Sequence, residues 1–124
     1  IVHFEIFIHG ENYVPAMISS LLFDWVVENL LKNALDAMEG KGEIHIDILT
    51  HATYTYIDVS DTGKGIPKSH INKVFKPGFS TKKRGWGLGL SLSKRIIESY
   101  HKGKLMIRSS EPGKGTTFRI MLRK

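Results

Sequence analysis

The chain has 124 residues, with 18 Lys and Arg against 12 Asp and Glu for a formal charge of +6, and it contains no cysteine. That length suits a single domain, 1–124, with a core of its own, while the missing cysteine excludes a disulfide framework and a thiolate metal site and points to a reducing compartment. No apolar run reaches the roughly 20 residues of a membrane span and no signal segment opens the chain; the start on Ile1 predicts a fragment of a longer protein.

The positive charge does not read as a nucleic-acid face. Basic residues gather at Lys82–Arg84, at Lys94 and Arg95 and at the carboxyl end, without an interleaved aromatic stripe on which bases could stack.

Taken in order, Ile1–Ile8 (IVHFEIFI) alternates loosely and is rich in β-branched and aromatic residues, so an edge strand is expected, followed by a loop over His9–Pro15. From about Ser20 the period changes. Leu21, Leu22, Trp25, Val26, Leu30, Leu31, Ala34, Leu35 and Met38 form a wide apolar stripe of a helix, with Ser19 or Ser20 as N-cap and Gly40 and Gly42 as the stop. Glu43–Leu49 and Tyr54–Ser60 alternate with period two and predict a hairpin.

Asp61–Pro67 (DTGKGIP) breaks regular structure at a strand end. Lys68–Phe75 predicts a short helix, Lys76–Gly87 a mobile lid, and Gly87–Tyr100 a second long helix with Leu88, Leu92, Ile96 and Ile97 inward. Lys104–Ser110 and Thr116–Leu122 predict a second hairpin across EPGKG. The expected class is α+β: a two-layer α/β sandwich with helices on one face of a mixed, mostly antiparallel sheet.

Three features carry chemistry. The stretch TKKRGWGLGLSLSKR (81–95) is a basic loop punctuated by Gly85, Gly87 and Gly89 that runs into a helix. It describes a phosphate site, because glycines admit close backbone approach and a helix start offers unpaired N–H groups to an anion. Asn29 and Asn33 stand one turn apart on one helix face. They are either solvent-facing or capping amides, or they face a ligand, Asn33 offering its amide oxygen to a hard cation such as Mg²⁺. Asp61 either initiates a turn or accepts a hydrogen bond from an exocyclic amine such as that of adenine.

In order and spacing, ENLLKNALDAM, DTGKGI, VFKPGFSTK, GWGLGLS and GKGTTF resemble the N box, first glycine box, F box, second glycine box and third glycine element of the catalytic ATP-binding domain of sensor histidine kinases. This is the Bergerat-type fold shared with gyrase, Hsp90 and MutL ATPases. The resemblance runs from Leu21 to the end. It implies that Asn33 holds Mg²⁺, that Asp61 recognises the adenine amine, that Gly63, Gly65 and Ile66 belong to the adenine pocket, and that Gly87, Leu88 and Gly89 meet the phosphates. Thr116 is similar to the threonine that supports the adenine-binding aspartate, Lys82 stands at the lid's terminal cation, and Phe75 and Phe79 anchor the lid.

The ATPases of this superfamily carry a catalytic glutamate one turn before the metal asparagine; that slot here is Asn29, with Glu28 about 100° away round the helix. An amide cannot take a proton from water, so Asn29 and Asn33 as the catalytic pair favour transfer to an acceptor over hydrolysis. The resemblance therefore implies a protein-histidine kinase module using ATP and Mg²⁺. Its partners would be a histidine-containing dimerisation domain of the parent chain and a response regulator receiver domain. The expected setting is a monomeric fragment of a homodimeric parent in the cytoplasm, with inner-membrane anchoring of the parent left open.

The departures are Lys76 and Gly78 in the F box, where an acid and an aromatic are usual, and Asp36 where many sensor kinases carry Lys. The competing readings are a Bergerat-fold ATPase or clamp, a regulatory nucleotide-binding module without catalysis, and a serine kinase of the anti-sigma kind. There is no GxxxxGK[ST], no HRD or DFG run and no HExxH, and the six histidines are expected on the surface or in strands.

Overall fold

A computed structural model of the chain describes residues 3–10, 18–79 and 89–124. Strand β1 (His3–Gly10) forms one edge of the sheet. It includes His9 and Gly10, expected in a loop, because they continue the ladder opposite Asp47 and Ile48 of β2 (Lys41–His51). β1 and β2 are parallel, so the chain between them must cross the sheet, and helix α1 (Ser20–Met38) makes that crossing. The hairpin of β2 and β3 (Tyr54–Asp61) and that of β4 (Lys104–Glu111) and β5 (Gly115–Arg123) both form, and the sheet order is β1-β2-β3-β5-β4 with every pair but the first antiparallel.

The buried ridge of α1 is narrower than its apolar content suggests. Val26, Leu30, Ala34 and Met38, each four residues on, are buried against Ile44, Val59, Leu105, Phe118, Ile120 and Leu122 of the sheet. Leu21 and Trp25 are instead 85% and 39% exposed. At 100° per residue they lie about 140° and 100° round the helix from Val26, off the side that meets the strands. The helix stops on Glu39 in the left-handed conformation (φ 52°) just before Gly40.

Helix α2 covers only Lys68–Ile71. The rest of the expected helix proceeds as overlapping turns, Lys73 N donating to His70 O, Lys76 N to Lys73 O and Phe79 N to Lys76 O. Of the expected lid, residues 76–79 are described and the remainder lies outside the described residues. Helix α3 (Gly89–Arg95) passes into a wider π turn over Ile96–Tyr100. Its inward positions are Ser93 and Ile97, four apart and both fully buried, with Leu90 partly buried beside the core. Leu92, expected inward, is 40% exposed, since it is one residue out of phase with that pair.

Candidate functional site

The loop after β3 is docked on the last turn of α1. Lys64 N donates to Ala37 O at 3.0 Å, and a Cβ on Gly63 would lie 2.6 Å from that same oxygen, so only glycine lets the two backbones meet. Thr62 ties the loop sideways, its Oγ1 accepting from Glu43 N at 3.0 Å. Gly65 (φ +75°) turns the chain back against Glu111, and Gly113 N donates to Lys64 O. Asp61 and the glycine loop are thereby fastened one turn beyond Asn33 on α1.

Asp61 is part-buried. Its Oδ1 accepts from Gly63 N at 2.9 Å and Thr116 N at 3.3 Å. Burial pushes its carboxyl above the usual carboxylate range, and those two N–H groups oppose the rise. Thr116 thus touches Asp61 through its backbone, while its hydroxyl pairs with Ser110 Oγ at 2.8 Å, and Ser110 Oγ also accepts from Ile66 N at 2.8 Å. Ser110 had no signal in the sequence. Alternation from Leu105 and Ile107 would turn Ser109 inward, but the β4–β5 register shifts between Ile107 and Ser109, so Ser110 comes to face Thr116.

The second group lies between α1 and α3. Asn29 Nδ2 donates to Ser93 Oγ at 3.0 Å, and a Cβ on Gly89 would overlap the Asn29 carboxamide. Asn33 follows one turn along α1 with its Nδ2 buried, whereas Glu28 is exposed. Among the described residues no three His, Asp or Glu side chains gather in a way that could cage a metal. Lys82, Gly87 and Leu88 lie outside the described residues.

Beside the glycine loop is a cavity of about 270 Å³ lined mainly by apolar groups, among them Gly65, Ile66, Val74 and Phe79. Neither Asp61 nor Asn33 lines it. Phe79 stands edge-on to His70, and Phe75 edge-on to Phe118 with Lys94 Nζ 4.9 Å from its ring centre.

A family model described as "Histidine kinase-, DNA gyrase B-, and HSP90-like ATPase" matches residues 19–124. The chain belongs to this family. It is an ATP-binding family, and similar proteins are sensor kinases. Sporulation kinase C of Bacillus subtilis (strain 168) is 39% identical over 94 residues, covering 76% of this chain and 22% of its own length. Sensor kinase CckA of Brucella abortus (strain 2308) is 38% identical over 131 residues, covering 92% of this chain and 14% of its own. The chain therefore spans about a fifth or less of the length of these curated relatives. Among solved structures, the nucleotide-free catalytic domain of histidine kinase ThkA superposes with a TM-score of 0.83 at 30% identity, over 98% of this chain and 78% of that one.

Proposed function

We propose that this chain is the ATP-binding catalytic domain of a two-component sensor histidine kinase, which transfers the γ-phosphoryl of Mg·ATP to a histidine of a dimerisation domain. The observation that carries this reading is the docking of Asp61, held by two backbone N–H groups, on the same helix that presents Asn29 and Asn33. Both described bonds to Asp61 fall on Oδ1, so Oδ2 is the oxygen that an exocyclic amine of adenine would meet. In this reading Gly63, Gly65 and Ile66 belong to the adenine pocket, and Gly89 at the start of α3 belongs to the phosphate site together with Gly87, Leu88 and Lys82, its neighbours in sequence.

The donor set suits Mg²⁺. A hard cation that keeps its waters and bridges phosphates needs one or two protein oxygens, such as Asn33 Oδ1, and no protein cage. When bound, the ion would neutralise the charge that builds on the transferred phosphoryl group. Transfer is favoured over hydrolysis because the residue one turn before Asn33 is an amide engaged with Ser93, and the nearest carboxylate, Glu28, is exposed. The acceptor histidine, the response regulator that follows it and a cytoplasmic location belong to the same proposal.

Calorimetric titration with a non-hydrolysable ATP analogue, with and without Mg²⁺ and with the GTP analogue as control, tests it. Micromolar, adenine-selective binding that Mg²⁺ strengthens is expected, worth about 8 kcal/mol, and Asn33→Ala should remove the Mg²⁺ effect. Equal binding of the two nucleotides would overturn the site assignment.

A further inference from the structure

Two histidines meet on the face of the sheet that the helices leave open. Ile44 and Ile46 of β2 pack into the core, so alternation sends Glu43, His45 and Asp47 to the opposite face. His9 stands opposite Asp47 in the parallel ladder of β1 with β2, which places it beside His45. Its Nε2 lies 3.3 Å from His45 Nδ1, with the two rings parallel within 13° and their centres 5.5 Å apart. The centres are farther apart than the nitrogens by about two ring radii. Both nitrogens therefore lie close to the line between the centres, and each in-plane lone-pair direction points at the other ring.

The far side of His45 fixes its tautomer. Nε2 is 3.2 Å from Glu43 Oε2, and an ionised carboxylate only accepts, so in the neutral ring the proton is on Nε2 and the lone pair on Nδ1. A carboxylate behind an imidazole is what orients a metal-ligating histidine and raises its basicity. His9 aims Nε2 at the same point, and its neutral ring can carry its one proton on Nδ1 instead. The nitrogen spacing selects the metal. Two nitrogens at about 2.0–2.1 Å from an ion are about 3.3–3.4 Å apart in a tetrahedral site but only about 2.9 Å apart at neighbouring corners of a square plane. The 3.3 Å between His9 and His45 fits the tetrahedron.

We propose that His9 and His45 form a surface site for a tetrahedral divalent transition metal, Zn²⁺ above all, with Glu43 as the positioning residue behind His45. His9 is exposed and the His45 side chain is 36% exposed, so water fills the remaining coordination places and the rings have room to turn toward the ion. Glu43 and Asp47 add negative charge on the same face. Since β1 is the edge strand and β2 its only neighbour in the sheet, the ion ties the outermost strand to the next one. The site is on the face away from α1 and does not rest on the nucleotide reading.

The test titrates the 124-residue chain, without nucleotide, with zinc chloride by calorimetry. One equivalent of Zn²⁺ should bind with micromolar affinity, an excess of Mg²⁺ should not displace it, and the thermal midpoint should rise with zinc concentration. Nitrogen–proton spectra of the histidine rings should show the His9 and His45 signals moving while those of His51, His70 and His101 stay. His9→Ala and His45→Ala should each remove the micromolar binding, whereas His51→Ala, which alters an exposed histidine at the end of β2, should leave it intact. Glu43→Gln should keep the equivalent and weaken it about tenfold. Wild type without micromolar Zn²⁺ binding, or binding that persists at full strength in His9→Ala or His45→Ala, overturns the site. Should either variant lose its native circular dichroism, the wild-type ring spectra decide, and zinc shifts confined to other histidines overturn the site. Unchanged affinity in Glu43→Gln overturns the role of Glu43 alone.

Discussion

At Asp61 stability is set against the recognition proposed for it. Its pKa is raised by burial, so the folded state holds the proton more tightly than the unfolded chain does. That contribution to stability is fully present below the ordinary value near 3.8 and is lost as pH rises through the folded value, leaving a penalty at neutral pH. Asp61→Asn keeps an oxygen for the Gly63 and Thr116 N–H groups and removes the charge. We expect its thermal midpoint at pH 7 to equal or exceed that of wild type, with the difference closing on acidification, as followed by circular dichroism. Affinity for the ATP analogue should fall by about tenfold or more, because Nδ2 would then face the adenine amine, donor against donor, in place of a charge-assisted bond of about 1.5–3 kcal/mol.

Among the elements, α1 and the segment that ends in the π turn are joined at both ends of their contact. Near the site the joint is Asn29 with Ser93; at the other end it is His101 with Ser19. His101, expected on the surface or in a strand, is buried, because the π turn directs it back over the start of α1. Its Nε2 accepts from Ser19 N at 2.9 Å while Nδ1 donates to Ile96 O at 3.0 Å, and Phe23 packs edge-on against the ring. Ser19 is the N-cap residue of α1, yet its side chain makes no capping bond. The histidine therefore secures a helix start that would otherwise rely on solvent. His101→Ala should cost about 1–3 kcal/mol through the buried groups it leaves unpaired, measured by urea unfolding, with faster amide exchange at the first turn of α1. A loss below about 0.5 kcal/mol would mean that water replaces the ring without penalty.

For the whole molecule, the sheet has two unlike faces. One carries the apolar core under the helices. The other holds Asp58, 1% exposed, between Arg119, whose Nε and Nη2 donate at 2.8 and 2.9 Å, and Arg108, whose Nη1 donates at 3.1 Å. The Asp58 carboxylate raises the Arg119 guanidinium above its usual value, and that guanidinium also lies 5.0 Å from the Tyr56 ring centre. Asp58 is buried but the two arginines reach solvent, so Asp58→Ala strands no buried charge and should cost about 1–3 kcal/mol, the loss of its hydrogen bonds, in equilibrium unfolding. Nucleotide affinity under folding conditions should be unchanged, since the cluster is on the face opposite α1. An Asp58→Ala protein as stable as wild type would show that the arginines find other acceptors.

Much of this protein could be read along the chain. The strand and helix periods, the order of the glycine-rich segments and the pairing of Asn29 with Asn33 at helical spacing are local properties, set by side-chain direction within an element. They were enough for the two-layer class and for placing Asn29, Asn33 and Asp61 in their elements. What lay beyond them depends on contacts between residues distant in sequence. The register shift that turns Ser110 inward, the selection of Ser93 over Leu92 as the buried position of α3, the reach of His101 to Ser19 and the burial of Asp58 beneath Arg119 each require two elements already packed together. Alternation and amphipathicity tell which residues can face inward; only the packed structure decides which of them do, because a buried polar group is placed by the partner that satisfies it.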